Sequence, residues 1–159
     1  MANVVASSGD ARHIVMEKLY SVWTGSSVTS AYILAFQGTP TPEGLEVDAN
    51  GELTSSTVDA YADARFGNSA PTTQRSIGSA GNRRFVGIAQ LTVDVFTKKT
   101  NDGLRLNDEI VTVLEDGFEG SSSSSGAIQF RTVFPMPMAS VGPYNKTRVV
   151  IGMEFDKVK

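Results

Sequence analysis

The chain's one histidine, His13, stands four residues before Glu17. On a helix that spacing puts both side chains on one face, where an imidazole and a carboxylate could share a proton or a metal ion. A metal site needs three or four ligands and this pair offers two, so a surface pair is the favoured reading. Ser-His-Asp catalysis would have to use His13 as its base. The serine-rich segment Gly120–Gly126 lacks the glycine spacing of a nucleophile elbow and reads as a loop. There is no cysteine, which removes disulfides, thiolate zinc sites and thiol nucleophiles.

The carboxylates are no more suggestive. Asp108, Glu109 and Glu115 fall in one helical stretch. Adjacent helical residues point about 100° apart, and Asp108 and Glu115 are two turns apart, so a solvated helix face explains them. Asp48-Ala49-Asn50-Gly51 resembles the start of a calcium loop, but Glu52 comes too early to be the closing ligand, and a hairpin turn fits better. Gly78-Ser79-Ala80-Gly81-Asn82 could hold an anion on backbone N–H groups, yet it precedes a strand rather than a helix. Asn145-Lys146-Thr147 matches a glycosylation acceptor without a secretory context. The residues therefore point to no catalytic group, no cofactor, no metal and no enzyme.

The elements that carry these residues can be read from periodicity. The 159 residues suit a single domain with a core of its own. The first ten residues show neither a basic region nor an apolar run, so no signal peptide is expected, and no segment is long and apolar enough to span a membrane. A net charge of −3, with no basic run longer than Arg83-Arg84 or Lys98-Lys99, argues against tight DNA binding.

Residues 1–9 read as a flexible arm, with Ser8 or Asp10 capping a helix to about Trp23. A short strand follows at Ser30–Phe36, then a proline-containing loop from Gly38. Residues 44–57 form an exposed hairpin around Asn50-Gly51. Val58–Phe66 alternates like a half-buried strand, and residues 67–82 read as a long polar loop. The strongest strand is Arg83–Thr97, with a bulge expected at Gly87. A helix spans about Leu104–Phe118, capped by Asn101 or Asp102, and the serines after it form a flexible loop. Strands at Ile128–Phe134, stopped by Pro135 and Pro137, and at Thr147–Asp156 complete an α+β fold: a mostly antiparallel sheet with two helices on one face.

Four stretches in this order carry a resemblance. They are Leu19-Tyr20-Ser21-Val22-Trp23 closing the first helix, and Ile33-Leu34-Ala35-Phe36-Gln37-Gly38-Thr39-Pro40-Thr41-Pro42. The third is Tyr61–Phe66 with Thr73-Gln74-Arg75 and the strand Arg83–Phe96; the fourth is Asn101-Asp102-Gly103 with Ile128-Gln129-Phe130 and Met153-Glu154-Phe155-Asp156. Together they resemble the tail-terminator (tail-completion) proteins of long-tailed bacteriophages. Only the 44–57 hairpin departs from the pattern, as an insertion.

The resemblance implies a structural virion protein. Six copies would form a ring at the head-proximal end of the tail, assembled in the host cytoplasm, ending tail-tube polymerisation and meeting the head connector. DNA would pass through the pore without specific binding; six copies carry roughly −18 formal charges, which suits passage of phosphates. The implied partners are further copies of this chain, the tail tube protein and neck proteins. A head-to-tail ring must match two different patches. The candidates are Gln74, Arg75, Arg83 and Arg84, with Glu52 and Leu53 of the hairpin as an arm; the alternative for each is a solvated loop residue. Another neck or tail-tube subunit, and a small-molecule-binding module, are the competing readings.

Overall fold

In a computed structural model describing residues 7–75 and 83–158, the sheet is built mainly from two long hairpins. The elements are α1 (Ser8–Thr24), β1 (Ile33–Phe36), β2 (Glu46–Val47), β3 (Leu53–Thr54), β4 (Ala60–Gln74), β5 (Arg84–Lys98), α2 (Gly103–Phe118), β6 (Ile128–Val141) and β7 (Tyr144–Val158). Five strands form one sheet in the order β1-β4-β5-β7-β6, and β2 and β3 pair separately. All pairings are antiparallel except β1 with β4. The chain is thus a single-domain α+β fold.

Both helices lie on one face of the sheet. Alternation puts Ala60, Ala62 and Ala64 of β4, Leu91, Val93 and Val95 of β5, and Val149, Ile151 and Met153 of β7 on that face. Ala11, Val15, Leu19 and Trp23 of α1 pack there with Ile110, Val111, Leu114 and Phe118 of α2. Burying Trp23 is compatible with its polar edge because Nε1 donates to the Tyr32 carbonyl at 3.1 Å. Ser7 is the N-cap of α1, not Ser8 or Asp10: its backbone is extended and its Oγ accepts the Asp10 N–H. Of the expected arm, residues 1–6 lie outside the described residues.

The 44–57 hairpin forms, but its turn is a five-residue loop rather than a two-residue Asn-Gly turn. The Asp48 carboxylate accepts the N–H groups of Asn50 and Glu52, both at 2.9 Å, and Gly51 takes φ +80. The hairpin sits on the helix-free side of the sheet. There Leu45, Leu53 and Val58 pack with Ala35, Tyr61, Phe96 and Tyr144 in a second, smaller core. This layer corrects two expectations. β4 is buried on both faces from Ala60 to Ala64, and Val58 turns away from the alanine face.

Three further expectations fail for reasons of pairing. Residues 67–74, expected in a loop, extend β4; the strand absorbs its extra residues in register shifts between Asn68 and Thr73, opposite Ile88 and Val86. The bulge expected at Gly87 falls on the partner strand, where two residues of β4 stand opposite Gly87 between the Ala70–Ile88 and Thr73–Val86 pairs, while β5 keeps unbroken register with β7. Pro135 and Pro137 do not stop β6, because β6 is an edge strand and a residue without an N–H is tolerated on its open side. An irregularity between Phe130 and Thr132 reverses the alternation expected in β6, so Val133 packs on the core and Phe134 is exposed.

The serine segment is not a free loop either. Ser123 is buried, its Oγ accepts the Ile128 N–H, and the Ser121 carbonyl accepts the Phe130 N–H. α2 begins after Asp102, whose side chain makes no capping bond. Its seat on the sheet is a buried chain of hydrogen bonds. Thr147 Oγ1 donates to Asn107 Oδ1 at 2.6 Å, Asn107 Nδ2 donates to Thr97 Oγ1, and Thr97 Oγ1 donates to the Gly103 carbonyl.

Candidate functional site

Two places on the molecule concentrate polar side chains: the helix-free face beside the hairpin, and the sheet end where β4 finishes at Gln74 and β5 starts at Arg84. On the first, register aligns Ala35, Asp63, Asp94, Arg148 and Met136 in one row across β1, β4, β5, β7 and β6. Asp94 is buried and accepts from Arg148 Nε at 2.8 Å and Nη2 at 3.2 Å, with Lys146 Nζ at 3.7 Å. Asp63, also buried, accepts from Arg65 Nη2 at 3.1 Å. The Arg148 guanidinium is held above its ordinary pKa, first by its hydrogen bonds to Asp94, then by that carboxylate's charge, and further by Glu52. The hairpin's Glu52 therefore lies within electrostatic reach of this row.

Between the hairpin, the Phe36–Pro42 segment and this row lies an open cavity of 410 Å³, with Glu52, Asp63 and Arg65 among its charged lining. Its size suits a small ligand, but its walls are mostly polar and it is half open to solvent, unlike a typical ligand pocket. Glu52 is exposed at the hairpin tip, whereas Leu53 is half-buried against its own subunit's second core. Part of the Leu53 side chain is therefore already engaged within its own subunit.

Below the row, Tyr61 stacks on Phe96 at 4.5 Å and meets Tyr144 edge-on at 5.3 Å. Tyr144 donates its hydroxyl to the Val58 carbonyl, while the Tyr61 hydroxyl has no hydrogen-bond partner among the described residues. Burial first, then Tyr144 and Asp63, push the Tyr61 phenol far above its usual value of 10.0. The folded protein thus keeps this phenol neutral where the unfolded chain ionises it, and stability falls as pH climbs above about 10. Tyr61→Phe is expected to remove that share of the decline and to raise stability at neutral pH by about 1 kcal/mol. Denaturant titrations of both proteins at about pH 7 and at about pH 10.5 check it; parallel declines with pH would contradict it.

The second place gathers four of the candidates. Gln74 ends β4 opposite Phe85, Arg75 donates its N–H to the Arg84 carbonyl at 2.8 Å, and Arg83 precedes β5, exposed. The Arg84 guanidinium pairs with Asp156, and nearby Arg131 pairs with Glu154 at 3.2 Å. The structure therefore brings Gln74, Arg75, Arg83 and Arg84 to one sheet end and puts Glu52 and Leu53 on the helix-free face.

His13 Nε2 and Glu17 Oε1 are 3.2 Å apart with both side chains largely exposed. Among the described residues no group of three or more His, Cys, Asp or Glu side chains could hold a metal ion, and no helix is long and apolar enough to cross a membrane. Gly78–Asn82 lies outside the described residues. The Asp94–Arg148 pair was not visible in the sequence: 54 residues separate its members, and a strand sequence does not show which strand is its neighbour.

No protein-family model matches the chain, and no curated protein matches it. Nine chains of solved structures are similar to it. One of them, whose designation names no function, is similar at a TM-score of 0.60 and 18% identity, over 94% of this chain and 95% of that one. At that identity the likeness concerns the fold alone: the α+β architecture built here recurs, nearly end to end, in a second protein.

Proposed function

We propose that this chain is a structural subunit of a bacteriophage tail. Copies close into a ring, most simply of six, that ends tube polymerisation at the head-proximal end and joins the head connector. The observation that carries the reading is the ordered resemblance along most of the chain, whose four stretches fall on α1, on β1, on β4 with β5, and on α2 with β6 and β7. The surface adds support. Its polar clusters are ion pairs and turn bonds, and Phe134 is 60% exposed on an edge strand, as suits a protein that binds other proteins. Its setting is then the virion neck, after assembly in the host cytoplasm, with the tail tube protein and connector as partners and DNA passing unbound through the pore.

Native mass measurement and negative-stain images of the protein, alone and with tail tubes, test this. The expected result is a closed ring capping one tube end. A strict monomer under both conditions would sink the reading, and unlimited cylinders would replace it with a tube subunit.

A further inference from the structure

β6 forms one edge of the five-stranded sheet and runs for 14 residues, against four for β1 at the other edge. A long edge strand presents a row of unpaired N–H and C=O groups, which is a template for pairing with another chain. Apolar side chains make this edge more adhesive still: Phe134 is 60% exposed and Met138 39%, with Met136 half-buried between them. Yet β6 has few donors to offer.

Its first part is already covered. The Ile128 carbonyl accepts the Ser123 N–H and the Phe130 N–H donates to the Ser121 carbonyl, both at 2.9 Å, so the serine segment lies along the open side. These two bonds also fix which residues point outward. In an antiparallel pair, residues alternate between exchanging bonds with their partner and pointing away from it. Ile128 and Phe130 point away, so their partners Phe155 and Met153 belong to the set on β7 that makes no bonds to β6. Ile151, Val149 and Thr147 continue that set, and they stand opposite Val133, Pro135 and Pro137. The irregularity between Phe130 and Thr132 inserts one residue, which moves the outward positions from even to odd numbers. Both prolines therefore occupy outward positions, where any other residue would offer an N–H. Of the outward positions 133, 135 and 137, only Val133 keeps its donor.

We infer that the serine segment and the two prolines together close the β6 edge, so that it does not pair with the edge of a second copy of this chain. Strand pairing needs donors and acceptors in alternation along both strands, and two successive missing donors interrupt the ladder at its middle. The inference does not depend on the tail reading above. The closure concerns the backbone alone: the Phe134 ring projects from the helix-free face of the sheet, not along its edge, and stays open to side-chain contacts.

The test restores the missing donors. Pro135→Thr with Pro137→Thr puts an N–H at both outward positions without adding apolar surface. The double variant is expected to fold as the parent does, which thermal melts verify, and to associate beyond the parent's own state. In sedimentation velocity the larger species should appear at a protein concentration about 10-fold or more below any at which the parent forms them. Hydrogen exchange locates the contact: the amides of residues 135 and 137 should exchange slowly in the associated protein and quickly once it is diluted. A folded double variant that keeps the parent's state at every concentration overturns the inference, and so does association in which those two amides exchange freely. If the double variant does not fold, Pro137→Thr alone restores one donor and is judged by the same two readings.

Discussion

Gly87→Ala is expected to destabilise the protein by about 2–3 kcal/mol, more than most surface changes in the sheet. Gly87 lies opposite Phe155 on β7, and a Cβ there would come within 2.2 to 2.7 Å of three atoms of the Phe155 ring. The ring lies over the glycine and is itself 2% exposed, held in the main core. It cannot swing away without opening a void, and β5 cannot shift without breaking its register with β7. In a protein of this size the cost corresponds to a melting temperature lower by about 4–10 °C. Adding Phe155→Leu should recover part of the loss, because the smaller side chain vacates the space. Calorimetry on the single and double variants decides the matter: an unchanged midpoint for Gly87→Ala would mean that the ring is not held where it lies.

The second large effect is expected at Arg148. Arg148→Met leaves the buried Asp94 carboxylate with Lys146 at 3.7 Å as its remaining cation and with Asp63 as its neighbour on the adjacent strand. Stranding one member of a buried pair is worse than removing both. We expect a loss of about 2–3 kcal/mol, reduced from the fully buried case because the Arg148 side chain is one-third exposed. Adding Asp94→Leu should bring the protein back toward the parent's stability. A double-mutant cycle by urea denaturation reads the coupling directly. Equal stability of Arg148→Met and the double variant would show that leaving the Asp94 carboxylate without Arg148 costs nothing. The hairpin offers a second readout, since Glu52 lies within electrostatic reach of Arg148 and proteolysis at its tip should quicken in the variant.

Much of the architecture was legible because it depends on local periodicity. The helical spacing of Leu19 with Trp23, and of Ile110 with Leu114 and Phe118, located both helices, and the alternation of Val149, Ile151, Met153 and Phe155 located β7 and its buried face. The hairpin at 44–57 was legible in the same way, from turn residues between short runs. The elements that went unread depend on neighbours. Residues 67–74 look like a loop, yet β5 offers them a ladder of hydrogen bonds, and bulges let them accept it. Pro135 and Pro137 look like stops, yet they sit where the edge strand needs no donor.

The interface candidates divide along the same line. Sequence distance alone put Gln74, Arg75, Arg83 and Arg84 near one another, because a hairpin returns on itself. It could not put Leu53 against Tyr61, Phe96 and Tyr144, nor could it oppose Arg84 to Asp156, 72 residues away. By itself, then, the sequence determined where both helices and the central parts of the long strands lie, which faces of the helices and of β7 are apolar, and that no thiol is present. The tertiary structure alone decided which strands are neighbours, which face the hairpin covers, and where opposite charges gather. Periodicity is a property of each segment, whereas pairing, burial of charge and surface field arise only when distant segments share space.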